Sequence, residues 1–157
     1  MQLINHCGAK EIGNICVEIK TDKTRIVIGF GKSIDNLAEE KSIDAIIIPH
    51  FHMDFYGFLS YVHSGIPIYM SQEAQELIEI SGILTSDKIV KINSHVINTK
   101  KTFNIGDIKI TPYLVDYSVF DALAFLIEAD DKRIFYSGDY RARGHKSVLF
   151  KRIIPTE

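Results

Sequence analysis

The amino-acid sequence predicts an α+β layered domain built on two sheets or one large mixed sheet, and three observations carry that expectation. Short β-rich runs open the chain, strand and helix patterns then alternate, and strands return in the second half. One run, IDAIIIP at 43–49, is apolar but for Asp44 near its start, as a strand buried on both faces requires. Two later stretches carry hairpin turn signals. With 157 residues the chain can bury a sizeable core, so one domain over 1–157 is expected.

Taken in order, NICVEIK (14–20) and TRIVIGF (24–30) are β-rich runs separated by polar TDK, which reads as a hairpin. SIDNLAEEK (33–41) follows with a helix start signal at Ser33 or Asp35. After the buried strand, Pro49 stops the run and a polar triplet begins. GFLSYVHSG (57–65) reads as helical, IPIYM (66–70) as a short strand, and SQEAQELIEISG (71–82) as a capped amphipathic helix ended by Gly82. KIVKI (88–92) and HVINT (95–99) are strand candidates. KTFNIGDIKITPYLV (101–115) is a hairpin turning at 104–107, and ALAFLIEADDKRIFYSGD (122–139) another turning at 130–132. No repeat, low-complexity segment or linker interrupts the pattern.

Hydrophobic content of 46% and charged content of 24% are those of a soluble globular protein. No apolar run approaches the roughly 20 residues of a membrane span. MQLINHCGAK lacks the basic start and apolar core of a signal peptide. Cys7 and Cys16 make no disulfide framework and are spaced wrongly for a zinc knuckle; they read as small buried residues in a reducing cytoplasm. A net charge of −2 argues against a generally basic, nucleic-acid-coating protein. The charge is uneven, however: RARGHKSVLFKR (141–152) carries five Lys/Arg, one His and no acid. It reads either as a solvated helix face or as a phosphate-facing edge.

Three places put polar residues just past an apolar strand: His50/His52/Asp54, then 116–118, then Gly138-Asp139. Strand ends gather ligand sites because the backbone there is fixed and side chains converge. In PHFHMDFYG (49–57) an extended chain would send His50, His52 and Asp54 to one side. Histidine suits zinc, and a carboxylate can complete the shell. Phe51, Met53 and Phe55 alternate with them, so an ordinary amphipathic strand fits the same letters.

These segments carry a resemblance. PHFHMDFYG resembles the HxHxDHxG signature of the metallo-β-lactamase fold, and VDYS and YSGDYR resemble its later ligand segments. SVFDALAFLIEADDKRIFYSGDYRARGHK is similar to the RNase-J-like branch, and GAKEIGNICVEI resembles that branch's glycine-rich first hairpin. The resemblance implies the N-terminal portion of an αββα fold, with mixed sheets flanked by helices. It implies a two-zinc hydrolase in which His50 and His52 bind one metal, Asp54 the other, and Asp139 bridges both. Asp54 and Asp139 would thus stand at the reaction centre. RNA or another phosphodiester would be the substrate, and Arg141, Arg143 and Lys146 would contact its phosphates.

Departures from the family pattern fall on the positions its chemistry uses. Phe55 replaces a histidine, Tyr117 another, Arg143 a third, and Gly29 an aspartate. Phe55 cannot ligate, and a phenol of pKa about 10 is a rare zinc ligand. Members of the fold continue past the YSGD strand with further elements and another metal-binding histidine, so an incomplete domain is expected. The remaining ligands would hold one zinc with water completing its shell, but not two; an empty polar pocket is the competing expectation, with Tyr117 or His145 as less usual ligands. His6, His63 and His95 fit no motif and read as surface or satisfied core residues. Asp116 and Asp121 read as loop-supporting carboxylates, and Ser118 has no base at a recognisable spacing. Two functions follow: a metal-dependent hydrolase with a reduced site and weak or absent activity, or an inactive relic acting as a binding module. A half-covered sheet would further favour a homodimer through exposed edges.

Overall fold

The structure is a computed structural model that describes residues 1–11, 13–31, 42–85, 94–99 and 101–149. Among them, six strands form one sheet in the order β1 (Gln2–Cys7), β2 (Cys16–Lys20), β3 (Arg25–Ile28), β4 (Ala45–Ile47), β5 (Ile68–Met70), β6 (Ser94–Val96). β1 to β3 pair antiparallel and β3 to β6 parallel. A second, antiparallel sheet runs β10 (Lys132–Tyr136), β9 (Leu123–Ala129), β8 (Ile108–Leu114), β7 (Phe103–Ile105). Of the two arrangements the sequence allows, the protein takes two sheets.

Strand alternation explains how the sheets meet. Ile26, Ile28, Ala45 and Ile47 point one way and pack on Ile108, Ile110, Phe125 and Ile127 of the second sheet. Val27, Ile46 and Ile48 point the other way, onto Phe55, Leu59, Met70 and Ala74. The run 45–49 is apolar without a break because both sides of β4 are covered, and Asp44 just before it is exposed. The hairpin β9–β10 turns at Asp130 and Asp131, whose φ values of 49° and 56° make the primed turn that matches strand twist. Thr21 Oγ1 donates to Asp107 Oδ1 at 2.8 Å and Asp107 N–H donates to Thr24 Oγ1 at 3.2 Å, tying a turn of one sheet to a turn of the other.

Helical expectations need correction. Residues 57–65 do not form a helix: a short α1 (Met53–Tyr56) precedes them and a single 3₁₀ turn spans Leu59–Tyr61. The reason is competition for backbone groups. Phe58 N–H donates to Phe30 O at 3.0 Å, and Phe55 O accepts from Phe30 N–H at 2.6 Å, so a neighbouring chain takes the partners a helix would use. The helix α2 (Gln72–Thr85) runs through Gly82 instead of ending there, and Ser71 Oγ caps it by accepting from Ala74 N–H at 3.1 Å. The helix expected at 33–41 and the strand expected at 88–92 lie outside the described residues. No helix among the described residues is long and apolar enough to cross a membrane.

Candidate metal centre

Pro49 follows β4, and its carbonyl accepts from Leu123 N–H at 3.0 Å, which pins the end of one sheet to the start of β9 in the other. His50 comes next and is fully buried. The chain bends at His50 and Phe51, where His52 N–H donates to His50 O at 3.1 Å, and His52 then caps α1 with φ −138° and ψ 143°. Asp54 lies inside that helix, so the extended alternation expected of His50, His52 and Asp54 does not form. Phe55 N–H donates to His52 O at 2.9 Å, and the Phe55 ring is buried in the core.

Two glycines explain how this loop fits. A side chain on Gly31 would run into the carbonyl of Asp54, so only glycine lets the two backbones pass. Gly29 has φ +76°, and a Cβ there would stand 2.6 Å from Ile15 O and 3.0 Å from Phe55 Cδ1. The departures at 29 and 55 are therefore neighbours in space.

Asp139 follows β10 and Gly138, and is half-exposed. His50 Nε2 lies 3.1 Å from His52 Nδ1 and 3.6 Å from Asp139 Oδ2. One donor atom from each of His50, His52 and Asp139 lies within 4.8 Å of the others. Donors about 2.0–2.1 Å from a tetrahedral zinc sit roughly 3.3 Å apart, so the 3.1 and 3.6 Å separations bracket that spacing. The donor set, two imidazoles and a carboxylate, is also a zinc set. These residues fit one metal ion.

The electrostatics agree. Burial, and then the neighbouring His52, push the His50 imidazole down to about 4 from its ordinary value of 6.5. At neutral pH it is uncharged and keeps a lone pair. Its Nδ1 is buried and makes no hydrogen bond to protein. The rings of Phe55, at 4.6 Å, and Tyr117, at 5.2 Å, enclose it. Burial and the Asp139 carboxylate raise the Tyr117 phenol, so Tyr117 is a neutral hydroxyl at this rim.

Asp54 is not among the three converging residues. Its backbone O accepts from Ile15 N–H at 2.9 Å, and its charge is felt by His50, Tyr117 and Tyr136. Tyr136 went unnoticed in the sequence. It is half-buried, and burial and the charges of Asp139 and Asp54 raise its phenol. Its place three residues before Asp139, on a strand whose next residues turn into the site, is the signal that could have found it.

Beside the centre lies a cavity of about 330 Å³ that the sequence did not disclose. Tyr117, Phe120, Arg141, His145 and Lys146 line it, whereas Arg143 does not. Arg141 donates from its guanidinium to Tyr117 O and lies 3.6 Å from Asp116 Oδ1. Lys146 Nζ stands 5.0 Å above the exposed Phe120 ring. The bond that ties Asp116 to Arg141 is a backbone one, its carbonyl accepting from Arg141 N–H at 2.6 Å, whereas the buried Oδ2 of its carboxylate makes no hydrogen bond. Cys7 and Cys16 are both reduced, Cys16 buried and Cys7 half-buried. His6 is satisfied by Glu18 at 2.6 Å, and His95 stacks on Tyr69. Residues 151 and 152 of the basic stretch lie outside the described residues.

A family model described as the beta-lactamase superfamily domain matches residues 31–150. An RNase J-like protein of Methanocaldococcus jannaschii is 26% identical over 158 residues, covering 92% of this chain and 37% of that protein. Among solved structures, a protein of unknown function from Enterococcus faecalis superposes with a TM-score of 0.80 at 20% identity, over 96% of this chain and 46% of the other. The metallo-beta-lactamase fold protein YhfI from Bacillus subtilis superposes with a TM-score of 0.65 at 15% identity, over 83% of this chain and 56% of the other. The chain thus spans 37% of the length of the first relative and about half of the two solved structures.

Proposed function

The chain belongs to the beta-lactamase superfamily and has the metallo-β-lactamase fold, and from that premise we propose that it is a one-zinc, nuclease-like protein with a reduced centre. Residues 1–157 act in this reading as a single domain. His50, His52 and Asp139 would hold the ion, and a phosphodiester such as RNA would be the substrate. The observation that carries the reading is the convergence of those three donor atoms within 4.8 Å around a buried, neutral histidine. The nuclease-like half of it draws on the relative named as RNase J-like.

A zinc ion held there would supply Lewis acidity toward the phosphodiester and make water more acidic. The chain's own residues supply the remainder. The neutral imidazole of His50 offers a lone pair without first losing a proton. Phe55 and Tyr117 keep water from its buried side. Asp139, more open, reaches the centre from the strand end, and the Asp54 carboxylate adds negative charge nearby. Arg141 and Lys146 give the adjoining cavity a positive wall for phosphate, with Arg143 exposed beyond it. Turnover is expected to be weak or absent.

The test is metal analysis of the purified, folded chain. About one zinc per chain, lost in His50→Ala while the circular dichroism spectrum is kept, supports the reading. A folded chain that takes up no zinc at micromolar concentration sinks it. The presence of Phe55 where the ring closes on His50 favours a second reading, binding without catalysis. RNA retained but never cleaved by zinc-loaded protein would select it. Two copies are further expected to associate through the open edges at β1, where Leu3 is exposed, and β10, where Phe135 is exposed. A clean monomer in sedimentation would refute that association.

A further inference from the structure

We propose that Cys7 and Cys16 form a reversible thiol–disulfide couple that locks the end of β1 to the start of β2 beside the segment carrying Asp54. Cys7 ends β1 and Cys16 opens β2, and the two are direct cross-strand partners, with a shift of register just before Cys7. Their thiols are in hydrogen-bonding contact. Directly opposed residues in antiparallel strands have Cα atoms about 4.5–5.5 Å apart, inside the 4.4–6.8 Å range that disulfides span. Their Cβ atoms must close from about 4.5–5.5 Å to about 4 Å, and the register shift at the strand end is where such movement is easiest. A bond formed under that constraint is strained, and strained disulfides are the labile, reversible ones.

Position gives the couple a consequence. Ile15 N–H, next to Cys16, donates to Asp54 O, and Gly13 packs beside the Asp54 side chain. Cys7 and Ile15 both pack on the apolar cluster that contains Cys16 and Phe55. Cross-linking therefore fixes the strand ends next to Ile15, whose N–H holds Asp54 O. Both cysteines were expected to be small buried residues; Cys16 is buried, but Cys7 is half-buried and can meet a small oxidant.

The oxidant is a low-molecular-weight disulfide such as glutathione disulfide. The Cys7 thiolate attacks one of its sulfurs, breaking the S–S bond, forming a mixed disulfide and releasing one glutathione thiolate. Cys16 then attacks the Cys7 sulfur, its proton passes to the departing thiolate, and the second glutathione leaves. The protein loses two electrons and two protons, and two glutathione thiols are formed. Burial raises the Cys16 thiol, which makes the second step the slower one.

The experiment equilibrates the full chain, without denaturant, in glutathione buffers from fully reduced to fully oxidised, traps thiols with iodoacetamide and measures intact and peptide mass. The expected result is a chain two hydrogens lighter, with both cysteines protected from alkylation and joined in one cross-linked peptide. Dithiothreitol should restore both thiols. In Cys7→Ser, Cys16 should remain reduced. The proposal is overturned if both thiols stay alkylatable in fully oxidised buffer, if Cys7 stops at the glutathione adduct, if the link is between chains, or if oxidation needs urea. It is equally overturned if Cys16 in the Cys7→Ser chain takes up glutathione as fast as Cys7 does in the parent. No metal enters the experiment, so its outcome is separate from that of the zinc reading.

Discussion

Acidifying the metal-free chain should destabilise it, in part through one identifiable residue. His50 is fully buried, and its imidazole titrates near 4 in the folded chain against 6.5 when exposed. Its folded value is depressed, so stability is intact above pH 6.5 and falls as pH drops toward 4, because the unfolded chain takes up the proton first. At pH 4.5 the unfolded chain is almost fully protonated at this site and the folded chain about a quarter so. The cost is about 2 kcal/mol at pH 4.5 relative to pH 7, from the pKa difference and 1.36 kcal/mol per unit. Other titrating groups change too, so the assay is a difference. Urea unfolding would be run at pH 7, 6, 5 and 4.5 on the parent and on His50→Leu, both freed of metal with chelator. The parent should lose about 2 kcal/mol more than the variant across that range. Parallel losses would mean that His50 is neither neutral nor enclosed, and the argument for its lone pair would fail with them.

Replacing the non-ligating residues should strengthen metal binding. Phe55→His with Tyr117→His is expected to raise zinc affinity by about tenfold or more, since even outer-shell partners are worth that; chelator competition measures it, and no gain would mean the centre is misplaced. Neutralising the cavity wall with Arg141→Gln and Lys146→Gln should weaken binding of a short RNA and lower its salt dependence by up to about two phosphate contacts, read by fluorescence anisotropy at several salt concentrations. An unchanged salt slope would remove both residues from the substrate path.

Legibility in the sequence followed from how local each cause was. Double-sided burial of β4 is written in the run 43–49, and the β9–β10 turn is written in two adjacent aspartates whose side chains tolerate positive φ. The two histidines and Asp139 stood out by their places just past apolar strands and were named as ligands by the family resemblance; their donor atoms lie within 4.8 Å of one another. What could not be read depended on chain segments distant in sequence. The short α1 exists because Phe30 and Gly31 lie against residues 54–58 and take their backbone groups. The same contacts turn Asp54 out of the alternation and leave three residues converging where four were expected. The cavity beside Tyr117 needs residues 116–120 and 141–146 to meet, and their spacing alone gives no sign of it.

Positions 29 and 55 also decide how far the centre can be rebuilt. At 55 and 117 the difference from the family is a side chain, and another side chain can reverse it. At 29 the difference reaches the backbone. Gly29 has φ +76°, a conformation that side chains resist, and a Cβ would press on Ile15 O at 2.6 Å as well as on the Phe55 ring. Exchanging Phe55 for histidine thins the ring but leaves both the φ and the Ile15 carbonyl where they are. Gly29→Asp should therefore cost about 1–3 kcal/mol in urea unfolding, from strain and overpacking, and should cost most of that again in the Phe55→His background. Equal stability of Phe55→His with and without Gly29→Asp would show that the ring alone excludes a side chain at 29. The backbone of the first hairpin would then be free to carry a carboxylate into the centre, and the reduced site would be a matter of one residue's bulk instead of the path of the chain.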